Sequence, residues 1–168
     1  MNILVRNMSK TNPLVFPQNW GVSESANEIQ RETEELQNNF SRSITFGEHL
    51  SEMIERLFEA RQEHAINNWD GYGAKAIDEQ SYQNAIRFIL SLTPDIPAPE
   101  IGVEPDGEVV FEWYGGKRKV FSISMGSRNE LTYAGLYGIS KTYGIEHFYG
   151  DIPDTLLDNI SRVFPREK

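Results

Sequence analysis

The chain contains no cysteine. That absence removes disulfides, thiolate nucleophiles, sulfur-ligated zinc and iron–sulfur clusters together, so stability has to come from packing. Long apolar runs are missing as well. No stretch approaches the roughly 20 residues that a membrane span needs, and the opening Met1-Asn2-Ile3-Leu4-Val5-Arg6 has an apolar run too short for a signal-peptide core. These features set the expectation of a cytoplasmic protein with no membrane partner. Basic residues are outnumbered by acidic ones, which leaves a net charge of −9. Surfaces that bind nucleic acid or anionic lipid neutralise phosphates with Lys and Arg, so direct nucleic-acid binding is not expected and a basic partner is attracted instead.

What is present suits an ordinary folded chain. The 168 residues, 39% hydrophobic and 24% charged, suffice for one core and are too apolar for global disorder. Residues 1–22 mix short apolar clusters with Pro13, Pro17 and several Asn, without helical or alternating period. They read as an extended arm whose Phe16 and Trp20 dock on the domain itself or on a second subunit, so a homodimer through the arm is one expectation. Residues 23–168 read as a single domain.

Two capping patterns predict two successive helices: Ser25-x-x-Glu28, followed by a narrow seam of Ile29, Leu36 and Phe40, and Thr45-x-x-Glu48, followed by Leu50, Met53, Ile54, Leu57 and Phe58 on one face. Asp78 reads as the N-cap of a third helix, stapled by Ile77 and Tyr82, with Tyr82, Ala85, Ile86 and Ile89 as its apolar face. The connector Thr93-Pro94-Asp95-Ile96-Pro97-Ala98-Pro99 cannot hold a helix. Beyond it the period changes to two. Runs over 101–104, 108–113, 119–125 and 131–137, with a further short strand over 143–149, are separated by Gly-containing turns and predict an antiparallel meander. Val109, Phe111 and Trp113, with Phe121, Ile123 and Met125, make one face apolar. A last helix carries Leu156, Leu157, Ile160 and Val163. The expected fold is α+β: a helical N-terminal half on one face of a three- to five-stranded antiparallel sheet, closed by a C-terminal helix. Leu57, Phe58, Ile86, Phe111 and Phe121 are the expected shared core.

The element Asn68-Trp69-Asp70-Gly71-Tyr72-Gly73-Ala74, followed by a helix, a Pro-rich link and Asp106-Gly107-Glu108-Val109-Val110-Phe111-Glu112-Trp113, resembles short bacterial proteins with a Trp-Asp-Gly-Tyr-Gly-Ala segment ahead of a small sheet. The resemblance covers roughly residues 65–137 and implies the architecture, with no activity attached to it.

Searches for chemistry return little. His49, His64 and His147 have no metal-ligand spacing, no Gly-x-Ser-x-Gly nucleophile turn occurs, and Gly115-Gly116-Lys117 lies between strands and opens no phosphate-binding helix. A nuclease reading built on Asp106 and Glu112 fails for want of a Lys two positions after Glu112, where Tyr114 stands. No catalytic residue, cofactor or metal is expected. Surfaces remain. Glu48, Glu52, Glu55 and Glu59 form an acidic stripe, which reads as a solvated helix face or as a docking site for a basic protein. Trp69, Asp70 and Tyr72 read as a tight helix exit or as a binding loop. Tyr133 and Tyr137, with Tyr143 and Tyr149 at even separations, read as cross-strand packing or as an aromatic platform. The leading expectation is a non-enzymatic protein-binding module, of an antitoxin-like, immunity or phage-encoded inhibitor type. The alternatives are a small enzyme using Asp70, Glu112, Tyr133 and His147, and an acidic DNA mimic that blocks a nucleic-acid-binding protein.

Overall fold

Between Glu24 and Glu63 the chain has no proline and a single glycine, Gly47, and it forms one helix, α1 (Glu24–Glu63). This corrects the expectation of a break before Thr45. The Thr45 hydroxyl does not cap a new helix; it donates backwards to the Ser41 carbonyl at 3.1 Å, as a threonine inside a continuing helix does. The computed structural model describes residues 24–164, so the arm expected over 1–22 and the tail 165–168 lie outside the described residues, as do the side chains of Ser25 and Ile29. The chain divides into two units, residues 1–40 and 41–168. In the first, Leu36 and Phe40 of the expected seam are each 69% exposed.

The second unit has an α+β architecture. Asp78 caps α2 (Glu79–Ser91), its Oδ1 accepting from the Ser81 amide at 2.9 Å. The helix ends at Leu92, short of Pro94, because proline disfavours helical geometry in the residue before it. The strands β1 (Glu100–Val103), β2 (Val109–Tyr114), β3 (Lys119–Met125), β4 (Glu130–Tyr137) and β5 (Ser140–His147) form a five-stranded antiparallel sheet in sequence order. Helix α3 (Asp154–Val163) follows. Both α2 and α3 contact β2 and β3.

The helices cover the face that alternation predicted. Val109, Phe111, Phe121, Ile123, Met125 and Leu131 are fully buried against Leu57, Phe88, Leu156 and Val163. Phe88 stacks 4.8 Å from Phe111 and 5.6 Å from Phe148, neither Phe88 nor Phe148 having been singled out from sequence. Phe58 departs from expectation: it is 51% exposed, and Ile86 is half-buried. Met53, Leu57 and Ala60 face inward instead, one residue of rotation having moved Phe58 about 100° from Leu57. The opposite sheet face carries Glu112, Ser122, Ala134 and Tyr143 across one register column. Among the described residues, no helix is long and apolar enough to cross a membrane.

Candidate functional site

The helix exit expected at the Trp-Asp-Gly-Tyr-Gly element is built almost entirely from its own side chains. Asp70 Oδ1 accepts from the amides of Tyr72 (2.8 Å) and Ala74 (3.0 Å), and those two bonds hold its carboxyl below the ordinary range. Asn68 takes a positive φ of 64° and its side chain accepts from the Gly73 amide. Gly71 and Gly73 also have positive φ, which suits residues without Cβ. The Trp69 indole donates to the Lys75 carbonyl at 2.8 Å and lies edge-on to His64, 4.2 Å between ring centroids. Tyr72 alone is left over, 95% exposed at the tip.

This loop meets the turn between β1 and β2. The Lys75 amide donates to the Pro105 carbonyl (2.8 Å) and the Asp78 amide to the Gly107 carbonyl (3.0 Å). Gly107 has φ 91°, and a Cβ there would come within 2.6 Å of the Ala76 carbonyl oxygen, so only glycine permits this approach. The stretch that follows Trp69–Ala74, from Lys75 to Asp78, is therefore docked by backbone bonds on the turn that leads into β2.

Beside that junction opens a cleft of about 870 Å³, lined by Asp78, Asp106, Glu108, Arg128 and Glu130 among others. Three separate stretches supply it: the α2 N-terminus, the β1–β2 turn and the β3–β4 turn. Buried Asn84 ties two of them together, its Nδ2 donating to the Gly126 carbonyl at 3.0 Å. Gly126 in turn packs against Glu108, whose carboxylate occupies the place a Cβ would take. Desolvation raises the Glu108 carboxyl above its ordinary value, and the neighbouring carboxylates of Asp106, Glu104, Asp78 and Glu130 push the same way. One ligand atom from each of Glu104, Asp106 and Glu108 lies within 4.8 Å of the others, an oxygen set of the kind that suits hard cations. Lys75 and Arg128 are the cations lining the cleft.

None of the residues selected from sequence as binding candidates lines this cleft. Glu48, Glu52, Glu55 and Glu59 are exposed on α1, where Glu52 pairs with Arg56 at 2.8 Å. The tyrosines weighed as cross-strand packing or as a platform do not share one face. Tyr133 and Tyr137 lie on the covered face: Tyr133 packs 5.9 Å from Phe121, and the Tyr137 hydroxyl donates to the Asn159 carbonyl at 2.9 Å. Tyr143 faces the other way, 83% exposed, and Tyr149 lies past the end of β5. The reason is the two-residue turn between β4 and β5. It pairs Tyr137 with Ser140 and Tyr133 with Gly144, so odd positions in β4 share a face with even positions in β5. The enzymatic set is scattered too: Asp70 serves the helix exit, Glu112 and His147 lie on the uncovered face, and Tyr133 on the covered one.

A sequence signal for the cleft was available. Glu104-Pro105-Asp106-Gly107-Glu108 puts three carboxylates across one turn, and the first and third turns of a meander fall at the same end of the sheet. No family model, no curated protein and no solved structure matches the chain.

Proposed function

We propose that the protein is a non-enzymatic binding module that takes a Lys- and Arg-rich segment of a protein partner into the acidic cleft. The observation that carries this reading is the convergence of Asp78, Asp106, Glu108 and Glu130, drawn from three stretches of chain, on one concavity, with Glu104 standing behind Asp106 and Glu108 within 4.8 Å. A cleft lined by one sign of charge focuses the field and raises the local concentration of counter-charged groups. Mutual repulsion and desolvation already strain Glu108, so a guanidinium or ammonium entering the cleft relieves a cost present in the free protein. Lys75 and Arg128 orient the segment by excluding its cations from their side. An antitoxin-like, immunity or inhibitor role in the cytoplasm is the biological form of this reading, the acidic cleft occupying the basic working surface of another protein.

The test uses a fluorescently labelled arginine-rich peptide and its lysine-free, glutamine-substituted counterpart. Anisotropy titrations should give saturable binding of the first alone, weakening with added salt. Combining Glu104→Gln, Asp106→Asn, Glu108→Gln and Glu130→Gln should lower the affinity by about tenfold or more. Equal affinity for the variant and the parent protein would overturn the reading.

A further inference from the structure

Helix α1 carries a second surface, on residues 44–58, that is largely exposed among the described residues. At 3.6 residues per turn, Ile44, Gly47, Ser51, Ile54 and Phe58 fall within an arc of about 80°, a line roughly 21 Å long. Its two ends are open, Ile44 being 50% and Phe58 51% exposed, while Ile54 is half-buried and packs against the core. Between them sit Gly47 and Ser51, both exposed, so the line is notched at its middle.

Gly47 is the informative residue. Glycine in a helix interior weakens it relative to alanine, and a glycine is expected where the backbone turns left-handed or something approaches closely. Neither applies among the described residues: Gly47 is not among the positive-φ glycines, and a Cβ built on it meets nothing within 4 Å. None of the described residues uses the space that the loss of helix propensity leaves open.

The next arc of the same helix is acidic. Glu48, Glu52, Glu55 and Glu59 follow within about 60° of rotation at the same pitch. Of these only Glu52 has an ion-pair partner among the described residues. A small-residue notch between two open apolar side chains, Ile44 and Phe58, bordered by carboxylates, has a form that an amphipathic helix recognises, reading anchors at i, i+4 and i+7 with its own charges at the border. We infer that residues 44–58 of α1 dock an amphipathic helix of a partner protein, its apolar side seated over Gly47 and its flank supplying Lys or Arg to Glu48, Glu55 and Glu59. A second copy of this chain fits less well, because the border charges would then meet like charges.

The probe is a synthetic 18-residue helix-forming peptide with a leucine stripe flanked by lysines, compared with one carrying glutamates in place of the lysines. Binding is followed by anisotropy, and the footprint by amide exchange on the full chain. The lysine peptide should bind, protect α1 amides over residues 44–58, and lose affinity by about tenfold or more in Gly47→Leu, while that variant melts no lower than the parent because leucine is the better helix former. The Glu48→Gln, Glu55→Gln and Glu59→Gln triple variant should slow association with little change in dissociation. The cleft variant described above should keep the protected footprint over residues 44–58 and its loss in Gly47→Leu, which separates the two surfaces. Undiminished binding to Gly47→Leu, equal binding of the glutamate peptide, a footprint confined to the cleft, no binding, or a salt-resistant dimer of the free protein that Gly47→Leu dissolves would each overturn the inference.

Discussion

Gly107→Ala isolates the docking of the helix-exit loop on the β1–β2 turn. The residue has φ 91°, and a new Cβ would lie 2.6 Å from the Ala76 carbonyl oxygen and 3.4 Å from the Asp78 nitrogen. Two costs follow. Placing an L-residue in the left-handed region costs about 1–2 kcal/mol. Relieving the contact means moving backbone, which parts the bonds from Lys75 to Pro105 (2.8 Å) and from Asp78 to Gly107 (3.0 Å); each contributes about 1 kcal/mol. The sum is about 3–4 kcal/mol, a large share of a typical domain's stability. Gly116→Ala is the matched control: its φ is 106° and its Cβ would meet nothing within 4 Å, so it should show the conformational cost alone. Urea denaturation of both variants should therefore differ by about 2 kcal/mol. Native-state amide exchange should show Lys75 and Asp78 deprotected in Gly107→Ala only. Equal costs within about 0.5 kcal/mol, with both amides still protected, would refute the claim that Gly107 exists to admit the Ala76 carbonyl.

Phe111→Ala should cost about 3–5 kcal/mol in the same denaturation assay, and Phe58→Ala less than about 1, since one is fully buried and the other 51% exposed. Burial pushes Tyr137 up to about 12 from 10.0, so the folded state keeps a proton that the unfolded chain releases; its stability is intact below the unfolded value and is lost as pH rises toward the folded one. Tyr137→Phe should lose about 1 kcal/mol at neutral pH with the bond to Asn159, and its alkaline melting curve should lack that decline. The Glu108 carboxyl is also raised, so its contribution is complete below the ordinary value of 4.5 and falls as pH climbs through the folded value. Glu108→Gln should accordingly melt higher than the parent protein at neutral pH, with the gap closing in acid; a gap that widens in acid would contradict the assignment.

Much of the fold was legible because its signals are local. Asp78 caps α2 through an oxygen three residues from the amide it binds, and proline at 94 sets a limit to that helix whatever it packs on. Strand alternation from Val109 to Met125 placed the apolar face correctly, since side chains in a strand change sides at every residue. The acidic balance and the lack of cysteine narrowed the chemistry before any fold was known.

The tertiary structure decided whatever depends on residues far apart in the chain. The Thr45 pattern reads equally as a helix start or as a helix interior, and the uninterrupted run from Glu24 to Glu63 made it the second. Even spacing of the tyrosines promised a shared face, but a two-residue turn reverses parity from β4 to β5, so Tyr143 points away from Tyr133 and Tyr137. Periodicity identified five apolar residues on the second half of α1; only the folded core, which takes in Leu57 at 0% exposure, left Phe58 to solvent. The cleft followed the same logic. Its carboxylates lie as much as 52 residues apart, from Asp78 to Glu130, and those two come to act on Glu108 only once the sheet turns and the α2 N-terminus are folded to one end.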